Sequence, residues 1–269
     1  MHISLKDFET QFTSLNPKSL KDCSSADYQN TKYKVLCYRA EDIKGFSYTP
    51  FDELPENSKL EFLNSIILHS SISESLIWAL YKAEKLDIDT LISNKKMLLN
   101  WSYMIENWWH SDQLSSIYNK ILDNNRVFFK DLQAMSNFSS PWQRRLSMTS
   151  LYYYAKNCKN PLPVEMTLPL IEKHLHDEEY YVQKGVGWTL REMSQINYKQ
   201  TLEFLKVHAK HIAPAGFSAA LEKIDAKDKE YIKQLRKKDS SNPHEFEAHH
   251  SNTIKSHHIK HDIHNHLRD

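Results

Sequence analysis

Three short stretches combine side chains able to act together on a ligand. In ENWWHSDQL, Trp108 and Asp112 stand four apart, the spacing that puts two side chains on one helical face. A carboxylate beside an indole is costly to bury unpaired. Either this pair faces a ligand, or Trp108 is core and Ser111 or Asp112 caps a following helix. In SSPWQRRLS, Trp142 and Arg145 are three apart beside a Pro-marked helix start, where free N–H groups favour an anion. A guanidinium there can grip a phosphate through paired hydrogen bonds, or pair with a surface carboxylate instead. In VQKGVGWTLREM, Lys184, Trp188 and Arg191 fall at i, i+4 and i+7 and share one face. That stripe suits stacking and phosphate contact better than a core. Gly185 and Gly187, two of only four glycines, let another backbone come close, whether a neighbouring helix or a ligand.

The elements that must carry these stretches are helical. Four glycines and nine prolines leave little turn chemistry for a sheet, while apolar residues recur at i, i+3, i+4 through most of the 269 residues. The pattern predicts helices near 3–14, 57–69, 72–84, 87–105, 110–122, 125–136, 141–157, 164–175, 178–196, 198–211, 214–224 and 226–238. Ser140 with Pro141 marks one start. Asp177 followed by Glu178 and Glu179 marks another. Laying SPWQRRLSMTSLYYYAK over EYYVQKGVGWTLREMSQ pairs Trp142 with Tyr181 and Arg145 with Lys184, a period near 39. That period falls in the range of two-helix HEAT-type repeats. The expected fold is all-α, a curved α–α superhelix whose concave face suits an extended ligand. Residues 1–238 form the repeat domain, and 239–269, with eight of the fifteen histidines, read as a mobile tail.

Composition narrows the chemistry. A formal charge of +1 excludes a polybasic binder, so any anion-binding surface must be local. Cys23, Cys37 and Cys158 are scattered and lack C-x-x-C spacing, which argues against a disulfide framework or thiolate zinc site. No apolar run approaches membrane-span length and no signal pattern opens the chain, so a cytoplasmic protein is expected. Histidines of the tail could take up a divalent metal adventitiously, but HEFEAH misses the H-E-x-x-H spacing by one residue. No nucleotide-binding glycine motif and no nucleophile elbow occurs. Neither a cofactor nor a resident metal is expected.

Taken in order, the motifs resemble the DNA alkylation repair family of HEAT-like-repeat alkylpurine DNA glycosylases. The resemblance rests on KYKVLCYRAEDIK (32–44), on W-x-x-x-D at Trp108 and Asp112, and on W-x-R-R at Trp142, Arg144 and Arg145. It continues through QK-x-x-GW-x-LRE at Gln183, Lys184, Gly187, Trp188, Leu190, Arg191 and Glu192, and spans roughly 30–225. It implies Asp112 as catalytic carboxylate, Trp108 and Trp188 as aromatic walls around the lesion's sugar and backbone, and Arg145 as a phosphate clamp. Trp142, Arg144, Lys184 and Arg191 would be further DNA contacts. Cys37 stands where the family usually has glycine, and Gly185 where it usually has alanine.

The chemistry implied by that resemblance is hydrolysis of the N-glycosidic bond of purines alkylated at N3 or N7 in duplex DNA, without base flipping. Such a base is already cationic and leaves neutral, so one carboxylate suffices where ordinary glycosidases use two. The partner would be double-stranded DNA with alkylated bases, bound by a monomer. Two other classes fit the same scaffold: a non-catalytic binder of distorted or branched DNA, and a protein-interaction scaffold.

Overall fold

The computed structural model describes residues 4–17, 19–23 and 31–240. Its described residues are helical throughout, with an isolated bridge between Lys34 and Ile72. The elements are α1 (Leu5–Thr13), α2 (Ala40–Gly45), α3 (Thr49–Asp52), α4 (Glu56–His69), α5 (Ser73–Glu84), α6 (Ile88–Ser93), α7 (Lys95–Asn100) and α8 (Trp108–Asn124). They continue as α9 (Phe129–Met135), α10 (Pro141–Thr149), α11 (Val164–Glu172), α12 (Tyr180–Ser194), α13 (Tyr198–His208), α14 (Pro214–Ala220) and α15 (Ala226–Ser240). None of the described helices is long and apolar enough to cross a membrane. The tail beyond residue 240 lies outside the described residues.

Packing runs as a ladder. α4 meets α5, α5 meets α8, α8 meets α10, α10 meets α12, and α12 meets α14, so each rung touches mainly its neighbours. This is the logic of a helical solenoid. The seams are apolar: Leu114, Ile117 and Ile121 on α8, Leu146 and Met148 on α10, and Val182, Val186 and Leu190 on α12 are all buried. Each such side chain contributes roughly 1.5–3 kcal/mol by leaving water.

Four expectations shift. The helix expected over 87–105 is divided at Asn94, whose side chain donates back to Thr90 O (2.9 Å), and it ends in a 3₁₀ turn at Trp101–Met104. Residues 40–52, assigned to no helix from the sequence, hold the short α2 and α3. The helix expected over 141–157 stops at Thr149, because Asn119 Nδ2 donates to the carbonyls of Ser150 (3.0 Å) and Leu151 (3.2 Å). Tyr154 then adopts φ 48°, a left-handed conformation that ends any α path. Finally, Asp177 does not cap α12. Its Oδ1 accepts from Glu179 N (3.0 Å) one residue outside the helix, and its carboxylate is taken by Arg144.

The glycines divide the work between them. A Cβ on Gly187 would lie 2.0 Å from Gly216 O, and one on Gly216 would lie 2.4 Å from Gln183 O. Here the backbones of α12 and α14 touch, so Gly187 serves helix packing. Gly185 faces the other way. A Cβ there would sit 3.2 Å from Arg145 Cγ, so its bare backbone makes room for the Arg145 side chain.

Candidate active site on the inner helices

α8 begins where Asn107 Oδ1 accepts the backbone N–H of His110 (2.8 Å), satisfying one of the helix's orphan donors. With Asn107 as cap, neither Ser111 nor Asp112 is needed there. Trp108 opens the helix and Asp112 follows one turn later on the same face. His110, on the opposite side, is fully buried and shares hydrogen bonds with Ser73 Oγ (2.9 Å) and Ser73 O (3.1 Å). Burial pushes its imidazole down to about pKa 4, so it stays neutral and clamps α8 to α5.

Asp112 is tied to Arg145 across the α8–α10 seam. Nη2 donates to Asp112 Oδ1 at 2.7 Å and Nε to the same oxygen at 3.3 Å, while Nη1 donates to Tyr181 O at 2.9 Å. The arginine side chain is 5% exposed and the aspartate 23%. One oxygen of Asp112, Oδ1, is held by Arg145, and the other, Oδ2, carries no hydrogen bond from the described residues.

Asp112 sits where two cavities meet. A hollow of about 620 Å³ is lined by Trp108, Asp112, Arg145, Tyr180, Lys184 and Trp188 among others. Trp108 and Asp112 also border a cleft of about 550 Å³, which continues past Tyr81, Trp109, Tyr153 and Tyr154. Trp188 is half-buried, with its ring 5.4 Å from Tyr153 and 6.4 Å from Tyr154. Trp108 stacks on Trp109 at 6.2 Å, and Lys21 Nζ lies 5.2 Å from the Trp108 ring and 4.7 Å from that of Trp109.

The structure thus brings Trp108, Asp112, Arg145, Lys184 and Trp188 together, and it gives Arg145, Arg144, Arg191 and Trp142, all expected to contact DNA, partners within the chain. Arg145, expected to clamp a phosphate, is buried with donors on Asp112 and Tyr181 O, an arrangement that orients the carboxylate. Arg144 is spent on Asp177, with Nε–Oδ2 at 2.7 Å and Nη2–Oδ1 at 3.1 Å, and on the carbonyls of Phe138 and Ser139. Arg191 pairs with Glu192 (2.9 Å) and Glu222 (2.9 Å). These guanidinium groups already have charge-assisted partners within the chain. Trp142 packs on Tyr181, ring centroids 5.0 Å apart, at the edge of the core and outside both cavities.

Tyr153 and Tyr154 escaped the sequence reading, which ran a helix through them. The signal available was the run LYYYAK, dense in aromatics for a helix end. Burial, with the Asp112 charge nearby, pushes the Tyr153 phenol above its ordinary range. Their turn is pinned by Glu192, whose Oε2 accepts from Ala155 N (3.2 Å) and whose Oε1 takes Arg191. Arg191 therefore supports the aromatic wall indirectly. Cys37, standing where glycine was expected from the resemblance, adopts φ 62°, the left-handed region that favours glycine. Glu74, buried beneath it, accepts the N–H groups of Leu36 (3.0 Å) and Cys37 (2.7 Å) and holds that turn.

The ladder matches solved structures of similar shape. One is a predicted DNA alkylation repair enzyme from Enterococcus faecalis, with a TM-score of 0.58 at 16% identity over 72% of this chain and 90% of that one. Another is AlkD2 from Streptococcus mutans, with a TM-score of 0.50 at 14% identity over 87% of this chain and 98% of that one. At such identities the likeness speaks for the fold alone. No curated protein matches the chain. The sequence profile of the DNA alkylation repair enzymes, however, matches residues 17–224, across every helix that builds the two cavities, and the chain belongs to that family.

Proposed function

We propose that this protein is a DNA glycosylase that releases cationic N3- or N7-alkylated purines from duplex DNA, acting as a single chain with residues 1–238 as its working domain. The observation that carries this reading is Asp112, whose carboxylate is held at one oxygen by Arg145 and lines the hollow that Trp108 and Trp188 also line. In the reaction the C1′–N bond breaks heterolytically and its electron pair leaves with the base, cancelling the positive charge there. The sugar becomes oxocarbenium-like, and Asp112 stabilises that growing charge. Water then adds at C1′ and gives up a proton to the Asp112 carboxylate, which passes it on to solvent. Asp112, already oriented by Arg145, needs little reorganisation as the charge develops. Trp108 and Trp188 offer aromatic faces to the same cation. A broad, shared hollow along several helices suits a strand approached from its backbone, in keeping with a base that stays in the stack.

The test is incubation of the purified protein with a duplex bearing an N7-alkylated guanine, followed by measurement of free base. Asp112→Asn should lower release by about 10²–10³-fold, the range for losing one group that stabilises developing charge. Duplex binding should change little. Release at the parent rate would remove Asp112 from the chemistry. The Asp112–Arg145 ion pair favours a second reading, a non-catalytic binder of distorted DNA in which the carboxylate merely joins two helices. No released base from the parent protein, with retained preference for distorted duplexes, would establish that reading instead.

A further inference from the structure

The cleft on the α5 side of Asp112 contains cations that the chemistry above does not use. Lys44, Lys82 and Lys85 line it, with Glu84 the carboxylate among them besides Asp112. Glu84 accepts a hydrogen bond from Ser116 Oγ. Lys120 Nζ donates to the carbonyls of Glu84 (2.9 Å) and Leu86 (2.7 Å), covering the negative end of α5. Lys82 already pairs with Asp52 at 3.6 Å. Lys44 Nζ rests 4.6 Å from the Tyr81 ring centroid, an arrangement that leaves ammonium hydrogens free for an anion. Lys85 is exposed and forms no ion pair with a described residue. The balance in this cleft therefore favours a negatively charged group.

Placement supplies the rest. The cleft and the hollow share Trp108 and Asp112, and the hollow carries Lys184 on its far wall. A carboxylate thus lies between two ammonium-bearing cavities. Tyr154 lines the cleft, with its ring 6.4 Å from that of Trp188 in the hollow, 56% exposed and held at φ 48°. A bulky residue in that conformation is strained, and such strain persists where the surroundings over-determine it and clusters at ligand sites.

We propose that the Lys44–Lys85 cleft is a second phosphate seat, holding a phosphodiester adjacent to the nucleotide that Asp112 addresses, with Lys184 holding one on the opposite side. The strand then crosses Asp112 between two fixed phosphates. This deepens the proposed function and rests on its premise that DNA is the ligand, though not on base release.

The test measures affinity for an undamaged duplex as a function of salt. Each phosphate no longer neutralised reduces the slope of log K against log salt by about 0.9, so Lys44→Gln/Lys85→Gln, which empties one seat, should lower its magnitude by about 0.9. The charge-preserving Lys44→Arg/Lys85→Arg should restore the slope. Lys199→Gln, in a separate groove with Phe204 and Val207, should leave it unchanged. An unchanged slope in the double glutamine variant would overturn the proposal. So would saturable binding of pyrophosphate that this variant abolishes while the duplex slope stays unchanged, because the cleft would then serve a free phosphate ligand. The two readings fail separately: base release with an unaltered slope removes the seat and keeps the glycosylase, whereas a reduced slope without base release does the reverse.

Discussion

Arg144 and Arg145 are neighbours in sequence, and each meets an aspartate, yet the two ion pairs are built to different ends. Asp177 is saturated. Arg144 binds both its oxygens, Glu179 N–H adds a third donor, and His174 Nδ1 stands 3.5 Å away. Asp112 keeps one oxygen without a hydrogen bond from the described residues, at the meeting of two cavities. Consecutive residues on a helix point about a quarter-turn or more apart, so Arg144 reaches the loop before α12 while Arg145 reaches across to α8. A closed pair locks helices together; an open one keeps charge available for a ligand.

The largest contrast should come from the aspartates themselves. Asp112→Asn should abolish most base release per folded molecule, and it should also lower melting, because it leaves the buried Arg145 guanidinium without its counter-charge. Asp177→Asn should leave release per folded molecule intact and lower stability by about 3 kcal/mol, the scale for breaking a mostly buried pair. Equal losses of activity in the two variants would dissolve the distinction. Next come the glycines. Gly187→Ala forces a Cβ into the backbone of α14 and should destabilise by about 3 kcal/mol, readable in denaturant unfolding. Gly185→Ala has 3.2 Å to a flexible arginine stem, so stability should shift by under about 1 kcal/mol while base release falls as Arg145 is displaced.

Acid should separate a saturated carboxylate from an ordinary one. Burial raises the Asp177 pKa, but the Arg144 hydrogen bonds, the Glu179 N–H and nearby positive charge outweigh it and hold the group below its usual value. Its contribution is therefore complete above about pH 4 and disappears as pH falls through the lower folded value. Arg144→Ala should remove that part of the acid dependence. His110 has a similar sign at higher pH. Its folded pKa, about 4, lies below the unfolded value near 6.5. The neutral imidazole stabilises above about pH 6.5, and stability is lost on the way down to 4, by on the order of 3 kcal/mol. His110→Gln should flatten the stability profile over that window; an unchanged slope would place the titration elsewhere.

Much of this architecture was legible from local patterns. Periodic apolar residues located ten of the longer helical segments because burying one stripe of a helix demands that spacing. Pro141 after Ser140 marked the start of α10 correctly. The W-x-x-x-D spacing placed Trp108 and Asp112 on one face because helical geometry relates residues four apart. Gly185 and Gly187 stood out as anomalies because glycine is disfavoured inside a helix unless something needs the space.

Partner choice was not legible. A guanidinium binds whichever carboxylate or carbonyl the fold brings within about 3 Å: partners 33 and 36 residues away for Arg145, and for Arg191 both the adjacent Glu192 and Glu222, 31 residues on. Spacing made Arg144, Arg145 and Arg191 look alike; tertiary packing sent one to Asp177, one to Asp112 and one to Glu192 and Glu222. The turn at Tyr153–Tyr154 was likewise decided from outside, by Asn119 capturing carbonyls and Glu192 holding Ala155 N–H. By itself the sequence determined which residues share a helical face, since that follows from bonds along the chain. Which faces look at each other, and so which charge is left open to a ligand, depends on contacts between distant segments that only the folded ladder supplies.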